Sequence, residues 1–386
     1  MKMQRLMPYM GIVVGVYLFI LTAVSINDLS VPQSTQTLTA SSTLSVVPSY
    51  TVSPIILPNI GQVATSTQEV LPPPKKVVPS TKKTLPAQTP VITAPVSIPV
   101  VVQALSPVFD GAALDVSATT LRAALVNIIC YAPFGGKLHS ISGSGVFIDS
   151  KGIILTNAHI AQYFLLTDQD VACTIRTGSP ATEKYKASLI HIPIAWLQTN
   201  STVLTTPAPS GTGEHDFALL AVSKGTDRNA LPEAFPSIEF ATSPPGAQTP
   251  VVIASYGAQF LESSQLQSSL FPTIVFGSVR DVFTFAKTTI DVLALGGSAA
   301  AQEGSSGGGV ANSPGELVGL ITTSTITGET AKRSLNAITA SYIRAEYASE
   351  TGSALDLLLD QTTAISISNF AKKIPELAAI ITPQLR

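Results

Sequence analysis

The pattern of apolar and polar positions divides this chain of 386 residues into four segments. An uncharged apolar run over 6–27 comes first, and a stretch rich in Pro, Ser, Thr and Val follows it. Beyond that stretch, short apolar runs alternate with Gly, Pro and Ser, which is typical of strands joined by turns. The predicted segments are an N-terminal apolar segment (1–27), a linker (28–110), a folded domain (111–345) and a tail (346–386).

The apolar runs of the folded domain predict an all-β sandwich or barrel, because no long helical repeats alternate with them. A helix over 117–127 is predicted to lead into a first strand at 128–131. Two runs, 144–148 and 153–156, flank a polar turn and predict a hairpin. Further strands are predicted at 217–222, 251–255, 273–279, 288–295, 309–311, 317–322 and 334–339. The residues from about 341 to 386 are predicted to be helical.

The apolar run over 6–27 is long enough to cross a hydrocarbon core of about 30 Å as a helix rising about 1.5 Å per residue. Lys2 and Arg5 precede this run and Asp28 follows it, a bias that favours a cytoplasmic N-terminus. A second interpretation is a cleaved signal peptide, with small residues at 23–25 as the cleavage site. Both interpretations predict an exported folded domain, tethered to the cytoplasmic membrane by a single span or secreted.

Prolines recur throughout the linker, including three in a row at 72–74, and they deny it helices and central strands. Its few large apolar side chains cannot offset an ordering cost of about 1–2 kcal/mol per residue. We therefore expect a disordered, extended tether. Over the whole chain only 12% of residues are charged and the net charge is −2, which argues against nucleic acid as a partner.

A serine framed by glycines is the most informative motif, since residues 303–309 read EGSSGGG. All four histidines precede Ser306. This order excludes an α/β-hydrolase, in which the histidine must follow the nucleophile. The remaining order is His, Asp, Ser, with the histidine in TNAH at 156–159 and the aspartate in HDFALL at 215–220.

With these three motifs in this order, residues from about 110 to 350 resemble a trypsin-like (chymotrypsin-fold) serine endopeptidase, nearest the bacterial HtrA-type branch. The resemblance implies two six-stranded antiparallel β-barrels with a short N-terminal helix and a C-terminal helical tail. It also implies that the site lies in the cleft between the barrels. The residues after the second barrel are too few for the PDZ domain of a typical HtrA-type chain, so none is expected.

The resemblance also implies roles for individual residues. Ser306 would be the nucleophile, His159 the general base, and Asp216 the carboxylate that orients the imidazole. The backbone N–H groups of Gly304 and Ser306 would form the oxyanion hole, where a glycine suits the required backbone turn.

Substrate preference and activation follow from the same resemblance. The pocket for the residue before the cleaved bond would be lined by Ala300, Thr322, Thr323 and Ser324. Since Ala300 offers no carboxylate for Lys or Arg, we expect cleavage after small or medium apolar residues. Ser305 stands where zymogen-type trypsins have an aspartate that pairs with a new N-terminus, so we expect activity without N-terminal processing.

The only two cysteines, Cys130 and Cys173, flank the His159 motif. In an exported protein they are a disulfide candidate, which for a loop of this length contributes about 3–4 kcal/mol in the chain-entropy model. Two buried reduced thiols are the alternative. No paired ligand spacing predicts a metal site, and no cofactor is expected.

The predicted function is hydrolysis of protein or peptide substrates by an exported serine endopeptidase, through an acyl-enzyme. Two alternatives remain open at this level. One is a catalytically inert trypsin-like scaffold that binds peptides, and the other is a surface attachment protein that uses the proline-rich linker.

Overall fold

The computed structural model describes residues 111–206, 211–226, 230–286, 288–324 and 327–385. The predicted apolar segment (1–27) and linker (28–110) therefore lie outside the described residues. Within the described ranges, no helix is long and apolar enough to span a bilayer.

Six antiparallel strands close into a barrel in the first half of the domain, in the order β1-β2-β3-β6-β5-β4. This confirms the expected first barrel. The predicted hairpin forms from β2 and β3. The strands are β1 (Leu125–Tyr131), β2 (Ile141–Asp149), β3 (Ile153–Thr156), β4 (Ala172–Gly178), β5 (Ala181–His191) and β6 (Ala218–Gly225).

A disulfide joins Cys130 of β1 to Cys173 of β4. The two residues lie directly opposite each other in the antiparallel pairing of these strands. The bond joins two neighbouring strands of the barrel, and it closes a loop of 43 residues that includes His159.

The second half is a seven-stranded antiparallel sheet in the order β8-β7-β11-β12-β13-β10-β9, so the expectation of a second closed six-stranded barrel was wrong. Within the described ranges, the edge strands β8 and β9 do not pair with each other. Both edges are partly exposed, and β9 has only three residues. The strands are β7 (Pro250–Ser255), β8 (Thr273–Ser278), β9 (Asp281–Phe283), β10 (Val292–Ala294), β11 (Gly309–Ala311), β12 (Leu317–Ser324) and β13 (Leu335–Thr339).

Among the described residues, four α-helices precede β13, the last strand in sequence. They are α1 (Gly111–Ala124), α2 (Ala158–Ala161), α3 (Ile194–Thr199) and α4 (Ser263–Ser268). Helix α1 ends three residues earlier than predicted, because Leu125 already pairs with β2 as the first residue of β1. Its buried side chains Leu114 and Leu121 face the core, which ties the start of the domain to both halves.

Four more helices follow the second sheet: α5 (Ala340–Thr351), α6 (Leu355–Leu359), α7 (Thr363–Ala371) and α8 (Ile374–Ile381). Helix α7 packs on β5 and β6, so the tail returns to the first barrel. Buried Phe370, Leu377 and Ile381 belong to the same core as the barrel strands. The tail thus helps to bury the first barrel.

Candidate active site

His159 and Asp216 come from two neighbouring strands of the first barrel. Strand β3 ends at Thr156, and Asn157 then starts helix α2, which carries His159. Asp216 comes just before β6, the partner of β3. The Asn157 side chain donates to the Asp216 carbonyl at 2.8 Å instead of capping α2, so it joins the two segments directly.

The carboxylate of Asp216 holds His159 through two bonds. Nδ1 of the imidazole lies 2.8 Å from Oδ2, and the backbone N–H of His159 donates to Oδ1 at 3.0 Å. The His159 side chain is 22% exposed whereas that of Asp216 is 8% exposed. The carboxylate is therefore buried behind an imidazole whose other side reaches solvent.

Thr322 supplies a third donor to this carboxylate, since its hydroxyl lies 2.8 Å from Asp216 Oδ2. Thr322 belongs to β12, so this bond links the second sheet to the first barrel. The role of Thr322 as a pocket wall stays a prediction, and the structure adds this contact with Asp216. Sequence reasoning missed this contact, which joins residues 106 positions apart.

Ser306 lies in a glycine-rich loop before β11, and close packing requires glycine at two positions of this loop. Gly304 has φ +86°, and a Cβ there would lie 2.7 Å from the Tyr256 carbonyl oxygen. Gly307 has φ +84°, and a Cβ there would overlap the Ser144 carbonyl oxygen. Only glycine fits either position without displacing backbone. The motif is therefore a tightly packed turn and not a flexible one.

The N–H groups predicted to form the oxyanion hole belong to two peptide groups whose carbonyl oxygens are hydrogen-bonded within the structure. The Glu303 carbonyl accepts from the Ala258 N–H at 2.8 Å, and the Ser305 carbonyl accepts from the Gly308 N–H at 2.9 Å. In a trans peptide the N–H points opposite to its carbonyl, so both bonds orient the following N–H groups. Within the described part of the chain, the Gly304 and Ser306 N–H groups have no acceptor.

Ser144 of β2 attaches this loop to the first barrel, a role that sequence reasoning missed. Its N–H donates to the Ser306 carbonyl at 2.8 Å, and its hydroxyl donates to the Gly304 carbonyl at 2.8 Å. The same hydroxyl accepts from the Tyr256 N–H at 2.8 Å. The one available signal is the small triplet Gly143-Ser144-Gly145 inside an apolar strand.

Thr156 brings the loop near the His159 segment. Its hydroxyl donates to the Ser144 carbonyl at 2.7 Å. It also lies 2.6 Å from the position that a Cβ on Gly307 would occupy. Thr156 comes three residues before His159, so the structure brings the loop that carries Ser306 against the segment that carries the imidazole.

The other predicted pocket residues occupy two places. Ala300 is fully buried in the core of the second sheet. Its role in the substrate pocket stays a prediction. Thr323 and Ser324 are the last two residues of β12, where they pair with Asn336 and Leu335 of β13.

Ser305 is buried and accepts a hydrogen bond from the Ser255 hydroxyl at 3.1 Å. At this position a neutral hydroxyl pair on β7 and the serine loop replaces the carboxylate of zymogen-type enzymes. The loop is therefore held here without an ion pair.

Helix α5 supports the segment that carries Asp216. The N–H of His215 donates to the Tyr342 hydroxyl at 3.0 Å, and His215 Nδ1 lies 2.8 Å from Glu346 Oε1. His215 has φ +58°, a conformation that is uncommon outside glycine. These contacts with α5 hold the turn before Asp216 in its unusual conformation.

Residues 143–320 match the family model of the trypsin-like peptidase domain. This range contains His159, Asp216 and Ser306. No curated protein is significantly similar to the chain in sequence.

Solved structures with similarity to the chain include the Rv3671c protease of M. tuberculosis in its active form. The two are 19% identical over 68% of this chain and 96% of that one, with a TM-score of 0.39. An inactive form of the same protease is 17% identical over 62% of this chain and 96% of that one, with a TM-score of 0.37. At these TM-scores, we draw no conclusion about this chain from either structure. On the family match, residues 143–320 are a trypsin-like peptidase domain, which supports a serine endopeptidase.

Proposed function

We propose that this protein hydrolyses peptide bonds with Ser306 as nucleophile, His159 as general base and Asp216 as the orienting carboxylate. One observation carries the proposal: His159 is bound to a buried Asp216 beside a packed loop that carries Ser306. In the reaction, Nε2 of His159 takes the proton of the Ser306 hydroxyl as its oxygen attacks the substrate carbonyl. The imidazolium then protonates the leaving amine, and water releases the acyl group by the reverse route.

Asp216 fixes the tautomer that this chemistry requires. Because Nδ1 of His159 donates to the carboxylate, Nε2 is left as the acceptor for the Ser306 proton. The Thr322 hydroxyl gives the carboxylate a further donor and limits its rotation. The negative charge of Asp216 then stabilises the imidazolium that forms during the reaction.

The N–H groups of Gly304 and Ser306 serve in this proposal as the oxyanion hole. Their orientation is set before substrate arrives, since the Ala258 and Gly308 amides hold the adjoining carbonyls. Donors that are already oriented avoid reorganisation when charge develops on the substrate oxygen. The preference for apolar residues, which rests on Ala300, stays a prediction, and that side chain is buried in the core.

Export of the domain is part of the proposal. The disulfide between Cys130 and Cys173 supports it, since such bonds persist in oxidising compartments. The charge bias around 6–27 supports an extracytoplasmic domain. Digestion of intact cells or spheroplasts with an added protease tests this. A folded domain that stays protected until the membrane is broken would contradict export.

Labelling of the full-chain protein with a fluorophosphonate probe tests the mechanism. We expect the probe to modify Ser306 in the wild type, without prior N-terminal cleavage. Both Ser306→Ala and His159→Ala should abolish labelling. Ser305→Ala is the matched control, because it removes a neighbouring hydroxyl that takes no part in the proposed chemistry.

Three results would contradict parts of the proposal. Folded wild type that does not react would favour an inert peptide-binding scaffold or an attachment protein. Labelling that survives Ser306→Ala would assign the nucleophile to another residue. Labelling that begins only after cleavage near residue 110 would show that N-terminal processing is required.

A further inference from the structure

The guanidinium of Arg333 lies just before β13, beside the loop that carries Ser306. Nη1 donates to the Ala301 carbonyl at 2.7 Å and to Gln259 Oε1 at 2.6 Å. Nε and Nη2 donate to the Gly328 carbonyl at 3.0 and 2.8 Å. The side chain therefore connects the segment before the nucleophile to the segment after β12.

Arg333 is 6% exposed, yet no described carboxylate pairs with it. Its recorded acceptors are neutral oxygens, which satisfy four of the five N–H groups and leave the charge uncompensated. A buried cation without a counter-ion is costly, and a carboxylate that enters beside it recovers much of that cost.

Solvent is close to this charge in spite of its burial. The guanidinium carbon lies 5.8 Å from the centre of the Phe260 ring, and Phe260 is 65% exposed. The cation thus lies just beneath the surface, next to an exposed aromatic ring. One of its anchors, the Ala301 carbonyl, directly follows Ala300, which the family resemblance assigns to the pocket for the residue before the cleaved bond.

We propose that Arg333 makes this protein select Asp or Glu before the cleaved bond. The inference rests on the proposed peptidase function and names its substrate class. A side-chain carboxylate would accept from the remaining N–H on Nη2 and would replace one of the neutral oxygens on Nη1. Charge-assisted bonds of this kind are about twice as strong as neutral ones.

Glu303 is the opposing candidate, since its carboxylate would favour basic residues instead. It is exposed, however, so water and salt screen its charge. The buried guanidinium interacts in a medium of lower effective dielectric, where the same separation gives a larger energy. The balance of charges therefore favours an acidic residue over a basic one.

A peptide series that differs only at the residue before the cleaved bond tests the proposal on the full-chain protein. We expect kcat/KM for Glu or Asp to exceed that for Leu and for Lys by at least about tenfold. In Arg333→Gln this advantage should disappear while fluorophosphonate labelling of Ser306 persists. Equal or better cleavage after Leu or Lys in the wild type would overturn the inference and leave the proposed function standing.

Arg176→Gln is the matched control. Arg176 is 3% exposed, and its guanidinium also binds neutral oxygens, among them the carbonyls of Ala181, Leu266 and Gln267. The two substitutions therefore damage packing alike. Only Arg333→Gln should change the ratio of Glu to Leu cleavage, and an equal change in both variants would contradict the role of Arg333.

Product binding tests the same contact without catalysis. Peptides that end in Glu or in Leu are titrated against Ser306→Ala, with and without Arg333→Gln. We expect the Glu peptide to bind at least about tenfold more tightly, and only while Arg333 is present. If the fluorophosphonate probe does not label the wild type but the Glu peptide still binds more tightly than the Leu peptide, the proposed catalysis is contradicted and the acidic specificity is supported. Equal binding of both peptides overturns the specificity.

Discussion

The two halves of the site are held by different kinds of contact. In the first barrel, His159 follows β3 and Asp216 precedes its partner β6, and side-chain bonds from Asn157 and from Thr322 of the second sheet fix Asp216. In the second sheet, Ser306 lies in a loop held largely through its backbone, and Ser144 of the first barrel provides two of the bonds. The position of the proposed base, His159, thus depends mainly on one barrel, whereas the proposed nucleophile, Ser306, depends on the contact between barrel and sheet.

The largest effect is expected from Asp216→Asn. An amide favours the wrong tautomer of His159, so kcat should fall by about 10⁴ with little change in fold. Steady-state kinetics and thermal unfolding together check this. Asp291→Asn is the control: this buried carboxylate of the second sheet accepts from Thr284, Thr289 and the Phe285 N–H. It should lower stability and leave kcat unchanged, and a similar kcat loss in both variants would argue against the role of Asp216.

Replacing Cys130 and Cys173 together by Ser should cost about 4 kcal/mol in the free energy of unfolding, according to the chain-entropy model for a loop of 43 residues. This loss of stability is expected in the first barrel, because the disulfide joins two of its strands. Urea unfolding measures it, with reduced wild type as the control. Below the unfolding midpoint, the rate at which the probe labels Ser306 should stay near the wild-type value. A loss under about 1 kcal/mol would show that the barrel does not depend on this bond.

Ser144→Ala should weaken the contact between barrel and sheet. It leaves the Gly304 carbonyl and the Tyr256 N–H without their partner, at a cost of about 1–3 kcal/mol. The labelling rate of Ser306 should also fall, because Gly304 belongs to the proposed oxyanion hole. Ser142→Ala is the matched control on the same strand, since its hydroxyl accepts from Asn127 and has no bond to the serine loop in the described part of the chain. Equal labelling rates in the two variants would mean that Ser144 does not position the loop.

Per pH unit, the smallest effect is a dependence of stability on pH at the contact of β5 with α5. Burial lowers the pKa of His191 from 6.5 to about 3, with the charge of Lys373 acting in the same direction. Between pH 6.5 and about pH 3, His191 therefore binds a proton in the unfolded chain but not in the folded protein. Stability should fall by up to about 1.4 kcal/mol per pH unit as the pH drops through this window.

His191→Gln should reduce the fall in the free energy of unfolding between pH 6.5 and pH 3, as measured by urea unfolding. Burial raises the pKa of Glu350, which acts in the opposite direction around its own titration range. The exposed His139 is the control, and His139→Gln should retain the wild-type slope. A slope that is equally steep in His191→Gln would place the acid sensitivity elsewhere.

Several features followed from local sequence alone. The hairpin of β2 and β3 was predicted because apolar β-formers flank a polar turn. The order of the three motifs was sufficient to exclude an α/β-hydrolase. Strands β4 and β5 were not predicted, since polar residues such as Arg176 and Lys186 interrupt their apolar pattern. The open second sheet was also missed, because the pairing of edge strands has no local signal.

What the sequence determined by itself was the set of chemical groups and their order along the chain, since strand ends and glycine turns are local features. The tertiary structure alone decided which distant groups meet. Thr322 reaches Asp216 across 106 positions, and Ser144 reaches Gly304 across 160. It also left Arg333 buried without a carboxylate next to the serine loop. Such contacts are set by how barrel and sheet pack together, and no periodic pattern in a single segment encodes them.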